Sequence, residues 1–347
     1  MERRELKYHS HRWRYTLKKS NLSFLFFKTF ISSCSIRYIV KDRFGRAVNS
    51  IRVSVTEDCN LRCFYCHREG EWHKHTKEMT SEEIERILKI ARELDIRKVK
   101  FTGGEPLVRS DMVDIIRRAS PIMDREVSLT TNGTLLRKYA YELKDAGLMR
   151  VNISLDTLSR EKYKRITGLD LLKDAIEGVH AAVDSGLYPV KLNMVLLRGI
   201  NDDEIEDMIR FSADSRTILQ MIELEVPVEK ECTSFFRRYH VNPKFLEEHF
   251  EKIAERVEYN ELHRRKRFIF QFNGKRAEVE IVRPMHNSEF CKYCTRIRLT
   301  SDGKLKPCLL RNDNLVDILT PMRNGASEEE LKKLFAEAIM RREPYWK

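Results

Sequence analysis

Six short segments of this chain read as β-strands, at residues 51–56, 97–102, 126–131, 149–155, 189–196 and 217–224, and a stretch of helical periodicity separates each from the next. Ser81–Ala91 is one such stretch, with Thr80 placed to cap its N-terminus. Gly147, Gly186 and Asn201 punctuate the alternation. Repeated βα units predict a parallel sheet. Parallel strands covered on both faces usually read as continuous apolar runs. Five of these strands alternate instead. One face carries Arg52, Ser54 and Thr56, then Lys100, Thr102 and Gly104, then Ser128, Thr130 and Asn132, then Asn152, Ser154 and Asp156, and finally Lys191 and Asn193. The other carries Val53, Val55, Val99, Phe101, Val127, Leu129, Val151, Ile153, Leu155, Val190 and Leu192. The apolar set must pack on the helices, so the polar set lines an interior. A filled barrel would place branched apolar residues there. The pattern predicts a cavity for a polar ligand, although the sixth strand, with Gln220 and Ile222, does not follow it. Arg52, Lys100 and Lys191 point inward against Asp156 and Glu105 alone. An unpaired buried charge costs several kcal/mol, so the imbalance predicts an anionic ligand. The competing reading has the two lysines snorkelling outward.

The first strand leads directly into Cys59-Asn-Leu-Arg-Cys63-Phe-Tyr-Cys66. Thiolates suit iron–sulfur clusters, zinc and copper(I). Three thiolates leave one iron of a four-iron cluster open, and an open metal position is where chemistry occurs. Zinc would need a fourth ligand such as His67 or His73, and structural zinc patterns place two cysteine pairs a dozen or more residues apart. Eight cysteines in 347 residues is far below disulfide-scaffold density. A second trio follows as Cys291-x2-Cys294-x13-Cys308. Thr300-Ser-Asp-Gly303 predicts a tight turn that folds Cys308 back on the other two. Cys34 and Cys232 have no partners in the pattern. Free thiol clusters imply a reducing, cytoplasmic setting, and no run of eighteen apolar residues suggests a membrane helix.

The formal charge of +12 is unevenly spread. Residues 1–50 hold 12 Lys and Arg against 3 acids, whereas the remainder holds 53 against 50. The body is thus almost neutral, and the excess argues for neither nucleic acid nor membrane as a partner. Residues 1–37 are basic with the apolar run Leu22–Phe27, consistent with a leader or with a mis-assigned start near Val40. Within residues 226–347, a helix is predicted at 245–254 and strands at 267–272 and 277–282 flank Gly274. The basic run Arg264–Arg267 reads as a solvated face, because no aromatic residues interleave it.

The C-x3-C-x2-C trio, the stretch Phe101-Thr-Gly-Gly-Glu-Pro106, and the second trio continued as Cys294-Thr-Arg-Ile-Arg-Leu-Thr-Ser-Asp-Gly303 resemble the radical S-adenosylmethionine (SAM) superfamily, and within it the GTP 3',8-cyclase family, from about Lys41 to the C-terminus. The resemblance implies an α/β fold, an open partial (βα)6 TIM-type barrel over 41–225, with a C-terminal α+β region over 226–347. Residues 1–40 fall outside it. Two [4Fe-4S] clusters are implied, on Cys59, Cys63 and Cys66 and on Cys291, Cys294 and Cys308. Tyr65, Gly104, Glu105, Ser154 and Glu225 match positions around SAM. Arg52, Lys100, Thr130, Lys191, Thr295, Arg296, Ile297 and Arg298 match positions around GTP, with Arg296 and Arg298 nearest the chemistry.

The activity implied is a radical one. Reductive cleavage of SAM gives a 5'-deoxyadenosyl radical that takes a hydrogen from C3' of the ribose, and the carbon radical then attacks C8 of guanine. The resemblance also implies an electron donor, a downstream cyclic pyranopterin monophosphate synthase, and room for a homodimer. Three features depart from the family pattern. Glu225 stands where a methionine is frequent, Lys100 where arginine is, and the chain ends Arg342-Glu-Pro-Tyr-Trp-Lys347 instead of Gly-Gly. The alternatives are a peptide-modifying radical SAM enzyme, which would carry more C-terminal cysteines, and a non-catalytic zinc protein.

Overall fold

A computed structural model describes residues 40–70, 78–260, 262–272 and 274–346. The readings made above for residues 1–37, for Cys34 and for His73 lie outside the described residues. Six parallel strands form the centre: β1 (Ser50–Ser54), β2 (Lys98–Thr102), β3 (Glu126–Thr131), β4 (Arg150–Ser154), β5 (Val190–Leu196) and β6 (Ile218–Glu223). They pair in sequence order, as a chain of right-handed βα units must when each helix returns beside its own strand. The crossovers are α1 (Ser81–Glu93), α2 (Met112–Ala119), α3 (Leu136–Asp145), α4 (Arg160–Thr167) with α5 (Leu172–Asp184), and α6 (Ile205–Asp214). Thr80 caps α1 through a full capping box with Glu83.

The remaining strands are β7 (Arg256–Tyr259), β8 (Lys266–Phe272), β9 (Lys275–Val282), β10 (Arg296–Leu299), β11 (Lys304–Lys306) and β12 (Val316–Asp317). They extend both edges of the centre. β9 lies parallel to β6 and carries β8 and β7, and β10 lies parallel to β1 and carries β11 and β12. The sheet therefore runs unbroken across residue 225, and among the described residues its two end strands, β12 and β7, take no further partner, so the barrel is open. The turn at 300–303 joins antiparallel β10 and β11 as expected.

The alternation holds. Val53, Val99, Phe101, Leu129, Val151, Ile153 and Leu192 are inaccessible to solvent and pack under the helices. β6 conforms as well: Gln220 accepts a hydrogen bond from Asn152 at 2.8 Å and so faces inward. The register then stacks like charges on the inner face, with Arg298, Arg52 and Lys100 directly opposite one another across β10, β1 and β2. Like charges in direct cross-strand pairs are destabilising, which leaves their counterions to be found.

Gly178 is required by packing alone. A Cβ on Gly178, in the middle of α5, would lie 2.1 Å from the carbonyl oxygen of Gly133. Helix propensity favours Ala over Gly by about 1 kcal/mol, while overpacking a close contact costs about 1–3 kcal/mol. Gly178→Ala is expected to lower the unfolding midpoint, measured by denaturant titration. A rise would show that α5 can shift freely.

Candidate active site

A cavity of about 910 Å³ occupies the barrel. At the carboxyl ends of the strands it is lined by Cys59, Gly104 and Ser154, and at their amino ends by Lys98, Glu126 and Arg150. Both cysteine trios open onto it: Cys59, Cys63 and Cys66 from the loop after β1, and Cys291, Cys294 and Cys308 from beside β10 and β11. The first loop is pinned by backbone bonds from Arg62 and Phe64 to the carbonyls of Thr167 and Ile166, at 2.8 and 3.1 Å. Backbone N–H groups of Leu61, Arg68 and Trp346 point at the sulfurs of Cys59, Cys66 and Cys291, each at 3.4 Å. Hydrogen bonds of this kind are what cluster thiolates accept.

Burial pushes the Cys59, Cys63 and Cys66 thiols up; Cys66 adds to the shift of Cys59, and Cys66 and Cys59 add to that of Cys63, which places the three sulfurs within reach of each other's fields. Cys308 is pushed to about 11 by burial and by Cys294. Cys294 itself is lowered, because Arg342 and Arg296 outweigh its burial. A metal centre is what would hold such thiols deprotonated. Among the described residues no three Cys, His, Asp or Glu side chains converge into the shell of one ion. Three thiols at each trio, with backbone N–H groups aimed at sulfurs of both, are the donor set of a four-iron cluster with one open corner. The donor sets fit the clusters that the motifs imply.

Around the first trio, Tyr65 donates to Asp156 at 2.6 Å, and burial raises Asp156 to about 6. Gly104 admits no side chain, since a Cβ would meet the carbonyl oxygen of Asp58 at 2.2 Å. Tyr65, Gly104, Ser154 and Glu225 all line the cavity. Burial raises Glu225 to about 7, against the pull of Arg298. Glu105 differs from expectation. It is 1% exposed, is absent from the cavity wall, and accepts from Thr131 Oγ1 and from the amides of Asn132 and Leu107 at 2.7, 2.6 and 3.0 Å. Its carboxyl, raised to about 7 by burial, holds the strand ends from behind the wall.

The inward cations need a larger correction. Lys100 and Lys191 do not snorkel out, but they are not left unpaired either. Lys191 pairs with Glu280 at 2.6 Å, and Lys100 donates to Asn152 at 2.6 Å. Glu69 bridges Arg52 and Arg298 at 3.3 and 2.6 Å and accepts from Thr102 at 3.0 Å. Burial opposes that charge, yet the two arginines hold Glu69 at about 2. Arg296 is brought down to about 9 by burial and by Arg298 and Arg52. Arg52 also reaches Thr130 at 3.4 Å. Thr295, Arg296 and Arg298 line the cavity, whereas Ile297 is fully buried in the hydrophobic core on the opposite face of β10 and offers the cavity no side chain.

Sequence reasoning missed Glu69, Glu280 and Arg150. Glu126 holds Arg150 at 2.6 Å. The acid three residues after Cys66 and the acids on alternate positions of β9 were the available signals. The solvated reading of Arg264–Arg267 fails for two members, since Arg265 and Arg267 line the cavity and Arg267 pairs with Glu280 at 2.7 Å. The C-terminus also reaches the site. Arg342 is 1% exposed, pairs with Asp42 at 3.1 Å and donates to the Cys294 carbonyl at 2.5 Å. Tyr345 and Trp346 join the cavity wall beside the second trio.

Comparison with known proteins matches this architecture in two parts. The Radical SAM superfamily model covers residues 53–212, and the Molybdenum Cofactor Synthesis C model covers 217–347. The Probable GTP 3',8-cyclase of Pyrococcus abyssi is 56% identical over 305 residues, 88% of this chain and 99% of that protein. Its counterpart in Thermococcus kodakarensis is 53% identical over 306 residues, 88% of this chain and 99% of that protein. The crystal structure of Streptococcus suis SuiB bound to S-adenosylmethionine shares the fold at a TM-score of 0.55 and 16% identity, covering 75% of this chain and 60% of that one. With two cysteine trios facing one cationic cavity and near-full-length relatives at this identity, the chain belongs to the GTP 3',8-cyclase family of radical SAM enzymes.

Proposed function

We propose that this chain converts GTP to 3',8-cyclo-7,8-dihydro-GTP, the entry step of molybdenum cofactor synthesis, with SAM and two [4Fe-4S] clusters as cofactors. The observation that carries the reading is the placement of two three-thiol sites around one cavity whose remaining wall is cationic. When bound, the cluster on Cys59, Cys63 and Cys66 and its SAM supply a 5'-deoxyadenosyl radical, and the protein supplies position and exclusion of water. Gly104, Ser154, Tyr65 and Glu225 would line the SAM side. Thr295, Arg296 and Arg298 would orient guanine beside the second trio, and Arg52, Thr130, Lys100 and Lys191 would hold ribose and phosphates. A planar, permanently charged guanidinium suits that work. Glu69 would keep Arg52 and Arg298 aimed while the cavity is empty. An external electron donor, a cytoplasmic setting, and a downstream pyranopterin-forming enzyme complete the reading. Among the described residues no helix is long and apolar enough to cross a membrane. Anaerobic incubation with GTP, SAM and a strong reductant should yield 5'-deoxyadenosine and cyclised GTP by mass analysis. SAM cleavage that responds to a peptide and not to GTP would transfer the assignment to a peptide-modifying enzyme.

The reconstituted protein should hold about eight irons per chain, four at each trio. Replacing Cys59, Cys63 and Cys66 by Ala should leave about half the iron and sulfide and end SAM cleavage. Stoichiometric zinc without labile sulfide would refute this.

A charged hydrogen bond to an anion contributes about 1.5–3 kcal/mol, roughly ten- to a hundredfold in affinity. Lys191→Ala should weaken GTP binding by about that factor, while iron content and slow GTP-independent SAM cleavage persist.

Glu69→Gln releases Arg52 and Arg298 from their shared carboxylate. The expected result is full iron content, retained SAM cleavage, and about a tenfold fall in cyclised product per 5'-deoxyadenosine. An unchanged product ratio would show that Glu69 only neutralises charge.

A further inference from the structure

The reacting end of the cavity is set by the cysteines. If guanine lies beside Cys291, Cys294 and Cys308 and C3' faces the first trio, the phosphate chain must run toward the amino edge of the strands. There the wall carries Lys98, Arg125, Arg150, Lys191, Arg265 and Arg267 against Glu126, with Glu280 buried behind it. Several of the cations at that edge already hold a carboxylate. Arg150 sits on Glu126 at 2.6 Å, and Lys191 and Arg267 sit on Glu280 at 2.6 and 2.7 Å. Arg265 is different. Its closest carboxylate contact is Glu280 at 4.0 Å, and its buried Nε has no hydrogen-bond partner among the described residues. A half-buried guanidinium whose Nε is buried without a partner is costly unless a ligand completes it.

The backbone is built to place that residue. His263 and Arg264 both adopt left-handed conformations, at φ 61° and 48°, which non-glycine residues enter only when the surroundings impose them. The turn is locked by the His263 ring, stacked on Phe290 at 3.6 Å and bonded through Nδ1 to the Phe290 carbonyl at 2.8 Å, and by the Asn260 amide on the Arg265 carbonyl at 2.8 Å. Its effect is to send Arg264 out toward Tyr293, at 3.0 Å from the hydroxyl, and Arg265 into the cavity. Phe290 precedes Cys291 in the short helix Ser288–Lys292, so the turn rests on the element that carries the second trio.

We propose that Arg265 is the residue by which this cavity selects a nucleoside triphosphate over the monophosphate, its planar fork taking two oxygens at the distal end of the phosphate chain. The inference rests on the GTP reading and deepens it. A monophosphate would stop short of Arg265 and leave it as it stands in the empty cavity. A triphosphate would complete it, and Lys191 and Arg150 would support the nearer phosphates.

The test is equilibrium binding of GTP and GMP to the anaerobically reconstituted protein, with iron content and unfolding midpoint as controls. The wild type should prefer GTP. Arg265→Ala should weaken GTP by about tenfold or more and leave GMP within about twofold. Arg265→Gln, which keeps most of the volume, should reproduce the loss, and Arg265→Lys should restore only part of it. Equal weakening of both nucleotides, or no weakening of GTP with iron retained, would overturn the proposal. A wild type that binds neither nucleotide would remove the GTP reading itself, and this proposal with it.

Discussion

The cations stacked across the inner face of the sheet are the constraint to which the rest of the molecule answers. Register places Arg298, Arg52 and Lys100 side by side on adjacent strands, an arrangement that repels itself. The fold tolerates it because carboxylates arrive from outside those strands. Glu69 comes from the loop behind Cys66, Glu126 from the start of β3, and Glu280 from β9. Each leaves part of its guanidinium or ammonium partner facing the cavity. The apo protein is thus neutral enough to fold and still cationic enough to take a polyanion.

The second half of the chain supplies one of those carboxylates and part of the cationic wall by extending the sheet at both edges. β10 beside β1 delivers Arg296 and Arg298 together with the second trio, and β9 beside β6 delivers Glu280. The cavity therefore cannot form from the six central strands alone. The C-terminal Arg342, buried against Asp42 and the Cys294 carbonyl, ties the last helix's exit to the same wall. Tyr345 and Trp346, the last described residues, also line the site.

Much of this was legible before any coordinates. Period-two alternation on five strands identified the polar lumen, because side chains of a strand must alternate faces. Cysteine spacing identified both trios, because ligands on one short loop must come from nearby positions. Arg265 and Arg267, however, were read as solvated, and Lys191 and Arg52 as unpaired. The partners come from other elements, Glu280 for Lys191 and Arg267 and Glu69 for Arg52, while Arg265 is turned inward by the left-handed residues before it. Ile297 was grouped with its neighbours because a run of matched residues does not reveal which of them faces inward.

By itself, the sequence determined the class of chemistry and the architecture, since thiol spacing and strand–helix periodicity are local properties that survive in any context. Only the tertiary structure decided which charges meet. Ion pairs form between residues that register and strand order bring together, and neither the pairing of β9 with β6 nor that of β10 with β1 leaves a mark on the residues near either strand. Glu105 shows the same division: its place in the motif is local, but its burial behind Thr131 and Asn132 comes from how two strand ends pack.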